Sequence, residues 1–252
     1  MSLGLASIWR HPVKSLGTEQ LASVTLEAGR ALPFDRAWAV AHGASAWDAS
    51  APAWVPCGNF LRVTHAPALA AVSARLDADA GTLTLTHPAR DPITVAPADQ
   101  VDEARLTEWL LPLTDGARPG PYRIATAPGA AMTDMAEPFV SILSMASLRA
   151  LGQHAGVAPD PRRFRGNFWI DGADAWDEED WVGRTLAIGP VRLRIVEPIG
   201  RCRAIDADPV TGRRGAPVFE TLRETRGHTR FGLYAEVVAG GEIAQNAEVT
   251  LA

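Results

Sequence analysis

The chain has 252 residues and a hydrophobic content of 47%, which is enough for one large domain or two small domains with packed interiors. Its formal net charge of -5 argues against a general nucleic-acid or anionic-membrane surface, so we expect neither nucleic acid nor a membrane among its partners. The two cysteines follow no pairing pattern and no apolar run approaches about 18 residues, so we expect a cytoplasmic protein without disulfides.

Short apolar alternations recur between glycines and prolines along the whole chain. This pattern predicts a mainly β protein with a few helices, in the α+β class. The predicted strands of the first half are Leu3–Trp9, Leu21–Glu27, Arg36–Ala41, Ala68–Leu76 and Thr82–Thr86.

Two helices and one domain boundary follow in chain order. Apolar residues recur on one face between Asp99 and Leu111, and Pro112 is expected to end this helix. The Pro/Gly-rich passage 118–121 predicts a boundary between a domain of residues 1–120 and a domain of residues 121–252. Ser144 is a preferred N-cap for a second helix, which is expected to end near a glycine at 152 or 156.

The second half returns to strand patterns. A tight Gly-Pro corner at 189–190 predicts a hairpin between two of them. The predicted strands are Tyr122–Ala125, Asn167–Asp171, Thr185–Ile188, Val191–Val196, Phe231–Val238 and Glu248–Leu251.

One cysteine of this half stands between two arginines. Cys202 lies between Arg201 and Arg203, and an Asp-Pro pair follows at 208–209. Thiols bind soft metals as thiolates, and cationic neighbours lower the pKa of a thiol from about 8.5 toward neutrality. Cys202 is therefore the first candidate for a reactive or metal-binding residue, and a buried structural cysteine is the alternative from the residues alone. Cys57 carries no comparable pattern, and we expect an inert loop thiol there.

Lys14 is the one lysine among 24 basic residues. Nearly every cation is thus a planar guanidinium, which is suited to bidentate contacts with phosphate. A local basic pocket for a phosphorylated ligand is compatible with the overall negative charge.

Five segments occur in the order found in MOSC proteins, a family named after the C-terminal domain of molybdenum cofactor sulfurase. The two-part form is also similar to the mitochondrial amidoxime-reducing component and its bacterial relatives. The resemblance implies a small N-terminal β-barrel domain joined to a MOSC β-barrel domain, with the molybdenum cofactor (Mo-molybdopterin) between them. The segments are His11–Ser15, Arg163–Asn167, Trp181–Gly189, Ile199–Gly212 and Phe231–Tyr234.

The resemblance also implies a set of site residues. Cys202 matches the cysteine that donates its sulfur to molybdenum, which a soft thiolate suits. Asp208 matches the aspartate near the open side of the metal, as a proton donor or a structural turn residue. The residues that match the family's cofactor-binding positions are Lys14, Ser15, Arg36, Ser144, Arg165, Asn167, Arg201 and Tyr234.

Three residues depart from the family pattern. His11 stands where tyrosine is usual, Gly166 where proline is common, and Asp206 where threonine often lies. From Asp206 we expect more negative charge on the substrate side of the metal than in the amidoxime reducers.

The resulting hypothesis is a molybdenum-cofactor oxidoreductase that reduces small N-hydroxylated or N-oxygenated substrates. Two cysteines cannot hold an iron–sulfur cluster, so the electrons would come from a separate ferredoxin, flavodoxin or cytochrome b5-like protein. The alternative is a non-catalytic carrier of cofactor or of sulfur, with a persulfide on Cys202. A third option is a barrel that has lost the chemistry and serves as an interaction protein.

Overall fold

The computed structural model describes residues 2–252 and is mainly β, which confirms the predicted fold class. Within these residues no helix is long and apolar enough to cross a membrane. The α-helices are α1 (Gln100–Thr114), α2 (Met145–Ala155) and α3 (Val218–Arg226). The strands are β1 (Leu3–Arg10), β2 (Glu19–Leu21), β3 (Ser23–Leu26), β4 (Ala39–Ala41), β5 (Ser73–Asp77), β6 (Thr82–His87), β7 (Arg90–Val95), β8 (Arg123–Ala125), β9 (Val140–Ser144), β10 (Phe168–Asp171), β11 (Thr185–Ile188), β12 (Val191–Gly200), β13 (Arg230–Ala239), β14 (Gly241–Ala244) and β15 (Glu248–Leu251).

Seven strands close into a barrel in the order β10, β9, β13, β12, β11, β15, β1, and pairing between β1 and β10 completes the ring. Neighbouring strands are antiparallel except β9 and β10, which are parallel. Along β12 the apolar residues Val191, Leu193 and Ile195 are buried, while Arg192 and Arg194 between them are exposed. This period of two is the pattern of a strand with one face in a core, and it is why the second-half strands could be predicted.

The first half of the chain forms smaller sheets. Strands β5, β6 and β7 make a three-stranded antiparallel sheet, and β4 pairs with β8. A core separate from the barrel core lies here, and its largest members include Leu61, Leu69, Leu83 and Trp109.

The two halves exchange strands. β1, at the start of the chain, is one of the seven barrel strands, and the other six are built from residues after 139. β3 likewise pairs with β14. In the other direction β8, which follows residue 120, completes the pair with β4. The halves are thus held together by backbone hydrogen bonds as well as by side-chain packing.

Helix α1 begins as predicted and ends later. Asp99 caps it by accepting hydrogen bonds from the backbone N–H groups of Val101 and Asp102. The expected stop at Pro112 is wrong, because the helix continues through this proline to Thr114. Burial of Leu113 and a hydrogen bond from Thr114 Oγ1 to Leu111 O (2.9 Å) stabilise the additional turn.

Helix α2 confirms its predicted cap, because Ser144 Oγ accepts a hydrogen bond from the backbone N–H of Ser147 and Gly156 ends the helix in the left-handed conformation. Helix α3 was not predicted. Near its N-terminus, the backbone N–H of Phe219 donates a hydrogen bond to the side chain of Asp206 (2.8 Å). The acceptor therefore lies 13 positions away in the sequence. No local capping signal marks such a helix.

Several strand predictions were wrong in part. Residues Pro67–Ala71 form a 3-10 helix where a strand was expected, with proline at its start, and only Ser73–Asp77 are extended. The strand expected at Arg36–Ala41 is reduced to β4, since Arg36 lies in a left-handed turn. β9 was missed because all five of its residues are buried, so it shows no alternation.

Candidate functional site

A cavity of ≈ 280 Å³ lies between the two halves of the chain. Its walls include the turn at residues 14–15 and the 57–64 segment on one side and residues of the barrel on the other. Eight of the ten predicted site residues line it, namely Lys14, Ser15, Arg36, Arg165, Asn167, Arg201, Cys202 and Tyr234.

Cys202 follows the end of β12 and precedes a short 3-10 helix, Arg203–Asp206. Its side chain is exposed and lines the cavity, and it forms no disulfide. The buried structural alternative for this cysteine is therefore excluded. Of the two flanking arginines, only Arg201 lines the cavity. Arg203 is exposed, and its Nε lies 3.5 Å from the carboxylate of Asp206. Of the two cations expected beside Cys202, only Arg201 therefore shares its cavity.

Arg201 is fixed by the barrel. Its Nε donates to Phe231 O (2.8 Å) and its Nη1 donates to Phe164 O (2.8 Å), while Nη2 is buried without a hydrogen-bond partner within residues 2–252. Burial lowers the pKa of Arg201 to about 10, so the side chain stays cationic at neutral pH. A permanent positive charge thus lies next to Cys202 in the sequence and shares its cavity.

Arg165 and Arg36 form a second cationic group. Arg165 Nη2 donates to Val13 O (3.0 Å) and Leu16 O (3.3 Å), which joins the barrel to the N-terminal turn. Arg36 binds the carboxylate of Asp35 and donates to Arg165 O. Burial and the charge of Arg36 lower the pKa of Arg165 to about 9, so Arg165 remains charged at neutral pH.

Lys14 is 6% exposed, which is unusual for a lysine. Its Nζ donates to Met132 O (3.0 Å) and to Asp134 Oδ1 (2.5 Å). Burial lowers the pKa of Lys14, and the charge of Asp134 opposes this shift. Asp134 is the one carboxylate in the lining, whereas six lining side chains are cationic: Lys14, Arg36, Arg62, Arg163, Arg165 and Arg201. The cavity is therefore built for an anionic ligand.

Asn167 and Tyr234 occupy the barrel wall of the cavity. Asn167 Oδ1 accepts from the backbone N–H (3.0 Å) and the hydroxyl (2.8 Å) of Ser141, and Asn167 Nδ2 donates to Trp9 O (3.2 Å). The amide is thus already engaged in joining β9, β1 and β10. Tyr234 packs against Phe139 with ring centroids 5.8 Å apart, and burial raises the pKa of its hydroxyl.

Two family models match the chain, one described as the MOSC N-terminal beta barrel domain at residues 2–117 and one described as the MOSC domain at residues 130–250. The chain belongs to the MOSC family. The resemblance drawn from its five sequence segments is thereby confirmed.

The similarity to individual MOSC relatives is local. A stretch of 73 residues, 29% of this chain, is 40% identical to molybdenum cofactor sulfurase of Homo sapiens and 40% identical to molybdenum cofactor sulfurase 2 of Culex quinquefasciatus. These matches cover 8% and 9% of the two relatives. Among solved structures, the YUAD protein from Bacillus subtilis aligns over 100% of this chain and 96% of its own, with 11% identity and a TM-score of 0.48.

Two residues matched to MOSC site positions do not line the cavity. Ser144 is buried, and its hydroxyl accepts from Ser147 N–H at the start of α2 (3.2 Å). Asp208 binds Arg163 Nη2 (2.6 Å) and accepts from the backbone N–H groups of Val210 and Thr211 (2.9 Å each). Burial opposes ionisation of Asp208, but these contacts outweigh it and lower its pKa. Of the two roles considered for Asp208, the geometry favours the structural turn.

The structure gives the surroundings of Asp206 and Gly166, two residues that differ from those usual in the MOSC family. Asp206 is buried, caps α3, and does not line the cavity, so it does not add the negative charge expected on the substrate side. A Cβ on Gly166 would lie 2.0 Å from Leu143 Cδ1. Since Leu143 is fully buried, a residue with a Cβ at this position, such as the proline that is common in the family, would require Leu143 to move.

His11, the third departure, is fully buried. Its Nε2 lies 3.2 Å from Gly166 O, and its Nδ1 has no partner in the part of the chain that the structure describes. Burial, together with the charges of Arg165 and Arg36, holds the pKa of His11 well below 6.5. The native protein therefore keeps this ring neutral.

A pH dependence of stability follows from the neutral ring. Below pH 6.5 the unfolded chain binds a proton at His11 that the folded protein does not, so the free energy of unfolding falls as the pH drops below that value. We expect the His11→Gln variant to show a shallower fall between pH 6.5 and 5, by up to about 1.4 kcal/mol per pH unit. Urea unfolding of both proteins across this range measures the slopes, and parallel slopes would contradict the prediction.

Sequence reasoning missed several lining residues. Cys57 was expected to be inert, yet it lines the same cavity as Cys202 and accepts a hydrogen bond from Arg62 Nη1 (3.5 Å). Asp134 was missed because its role depends on Lys14, 120 positions away. Arg163 begins the segment Arg163–Asn167, and its separation of two residues from Arg165 was the available signal.

Proposed function

We propose that this protein binds the molybdenum cofactor in the cavity between its two β domains and reduces small N-hydroxylated compounds there. The observation that carries the proposal is a cation-lined cavity with one exposed thiol, Cys202, in its wall. A phosphorylated ligand with a sulfur-bound metal at its other end has the complementary chemistry. Membership of the MOSC family and the local similarity to molybdenum cofactor sulfurases support this choice.

The phosphate end of the cofactor would be held by the N-terminal turn. Lys14, Ser15 and Arg36 line one side of the cavity, and Arg165 bridges this turn to the barrel. Guanidinium and ammonium groups form charge-assisted hydrogen bonds with phosphate oxygens. Since Lys14, Arg36 and Arg165 are already fixed by protein contacts, little of their conformational entropy would be lost when the ligand binds.

The metal end would lie at Cys202. A thiolate is a soft ligand that suits a metal already bound by sulfur, and Arg201 places a positive charge in the same cavity. When bound, the cofactor supplies two-electron redox chemistry, while the protein supplies position, charge and access. The exposure of Cys202 leaves this end of the cavity open to a small substrate.

The proposed reaction converts an N-hydroxylated base to the parent base and water, and it consumes two electrons and two protons. A separate donor protein of the ferredoxin, flavodoxin or cytochrome b5 type would supply the electrons. The lowered pKa of Asp208 keeps its carboxylate ionised at neutral pH, and Asp208 does not line the cavity, so we assign it no part in supplying the protons.

Two cysteines without a disulfide are consistent with a cytoplasmic location.

Reduction of benzamidoxime tests this function. We expect protein produced in a host that makes molybdopterin to convert benzamidoxime to benzamidine when reduced methyl viologen is the electron donor. Product is measured by chromatography, and protein from a host without molybdopterin synthesis is the control. Equal turnover by the two preparations, or none by the molybdenum-loaded protein, would contradict the proposal.

A carrier of sulfur is the second candidate, favoured by the 73-residue similarity to molybdenum cofactor sulfurases. Cys202 would then carry a persulfide, which its exposure permits. Release of one labelled sulfur per chain to an acceptor, without reduction of benzamidoxime, would favour the carrier over the reductase.

A further inference from the structure

A group of arginines without acidic partners lies at the rim of the cavity. Arg62 Nη2 and Arg118 Nη2 lie 2.9 Å and 3.0 Å from the same atom, His65 Nε2. Arg214 reaches this place from the other half of the chain and donates to Thr64 O (2.5 Å). We call Arg62, His65, Arg118 and Arg214 the rim cluster.

The charge of the rim cluster is not neutralised by the protein. Within residues 2–252, none of its three guanidiniums forms an ion pair with a carboxylate. Two guanidiniums that donate to one ring nitrogen require His65 to be neutral at that atom. Desolvation and the charges of Arg118, Arg62 and Arg214 lower the pKa of His65, which agrees with a neutral ring. Three like charges are thus held together around an uncharged residue.

The rim cluster is continuous with the cavity. Arg62 and Thr64 line the cavity, and Arg62 also donates to Cys57 Sγ inside it. His65 and Arg214 are exposed, so a ligand that extends out of the cavity meets these side chains at the surface.

We propose that the rim cluster is a second phosphate-binding subsite, which takes a phosphate group of a ligand whose other end lies in the cavity. Clustered guanidiniums without carboxylate partners fit a phosphate dianion, because it neutralises their repulsion and accepts several charge-assisted hydrogen bonds. This role in catalysis rests on the proposed function, but binding of phosphate at the rim does not require molybdenum.

Two sources of the phosphate are compatible with this chemistry. A phosphorylated substrate, such as an N-hydroxylated nucleotide, would place its phosphate at the rim and its base near Cys202. A nucleotide-extended form of the cofactor would instead place its additional phosphate there.

The binding test uses cofactor-free protein and adenosine monophosphate as the probe. The Nε–H groups of Arg62 and Arg118 are buried and unpaired within the described chain, so their nitrogen-15 NMR signals serve as local reporters. We expect both signals to shift saturably with adenosine monophosphate and not with adenosine. Arg214→Gln is expected to weaken the apparent affinity at these reporters by at least about tenfold.

The matched control is Arg223→Gln, which removes another exposed arginine, one that is paired with Glu220 on α3. We expect it to leave the titration unchanged. Absence of a saturable shift in the unmodified protein, or equal affinity in Arg214→Gln and the unmodified protein, would overturn the subsite. Neither result depends on whether the protein holds molybdenum, so failure of the subsite is distinguishable from failure of the proposed function.

Two further measurements on molybdenum-loaded protein distinguish the sources. For a substrate phosphate, Arg214→Gln raises KM for an N-hydroxylated nucleoside monophosphate while kcat, and KM for the unphosphorylated nucleoside, stay constant. For a cofactor phosphate, mass spectrometry of the released pterin finds the nucleotide-extended form, and Arg214→Gln lowers its content. If neither change occurs, the rim does not serve a cavity ligand and the proposal fails.

Discussion

Replacement of Cys202 by serine is expected to abolish molybdenum retention and benzamidoxime reduction without unfolding the protein. A serine hydroxyl has nearly the size of the thiol but is a hard and weakly acidic ligand, so it does not replace a soft thiolate at a sulfur-bound metal. Because Cys202 is exposed, the substitution removes little packing, and we expect the unfolding midpoint to stay within about 2 °C of the unmodified protein. Elemental analysis, the activity assay and calorimetry give the three readouts.

Cys57→Ser is the matched control, since Cys57 is the other thiol that lines the cavity. It accepts a hydrogen bond from Arg62, and a serine hydroxyl can accept in its place. We expect Cys57→Ser to retain molybdenum. Full activity in Cys202→Ser, or equal loss of molybdenum in both variants, would show that Cys202 is not the metal ligand.

Gly166→Ala is expected to destabilise the fold by overpacking the barrel core at Leu143. The added Cβ would lie 2.0 Å from Leu143 Cδ1, well inside van der Waals contact, and Leu143 is fully buried. Overpacking of this kind costs about 1–3 kcal/mol. Urea unfolding at pH 7 measures the loss.

A double variant tests whether the clash with Leu143 is the cause. Leu143→Ala alone leaves a cavity and costs about 2–5 kcal/mol. In the double variant the new methyl group occupies part of that space, so we expect a total loss smaller than the sum of the two single losses. Additive losses, or a Gly166→Ala protein as stable as the unmodified one, would contradict the packing explanation.

The strands with alternating burial were accessible from the sequence. Thr185–Ile188 and Val191–Val196 alternate because one face of each meets the barrel core, and the structure has strands at both places. β9 has no exposed residue and therefore no period to detect. Helix α3 depends on the remote cap from Asp206, which no window of local sequence contains.

The site could be predicted where its residues lie in recognisable segments. Lys14, Arg165 and Cys202 all line the cavity. Each lies in one of the five segments that resemble the family. Residues that act through partners distant in sequence were not predictable. Lys14 meets Asp134 across 120 positions. Arg203 pairs with the nearby Asp206 instead of lining the cavity, although it flanks Cys202 as closely as Arg201 does.

The exchange of strands between the halves was also hidden from the sequence. β1 has an ordinary strand pattern, and nothing in that pattern indicates that its partners are β10 and β15, more than 150 residues away. Pairings of this kind are decided by the packing of the whole barrel rather than by local preference. The cavity depends on this exchange, because β1 leads directly into the turn that carries Lys14.

Metal and pterin analysis of freshly purified protein tests the central claim most directly. The protein is produced in a host that makes molybdopterin, and molybdenum is measured by mass spectrometry together with the pterin released on denaturation. We expect close to one molybdenum and one pterin per chain, and loss of the metal in Cys202→Ser. Purified protein that contains neither molybdenum nor pterin, although produced under these conditions, would contradict the claim that the cation-lined cavity holds this cofactor.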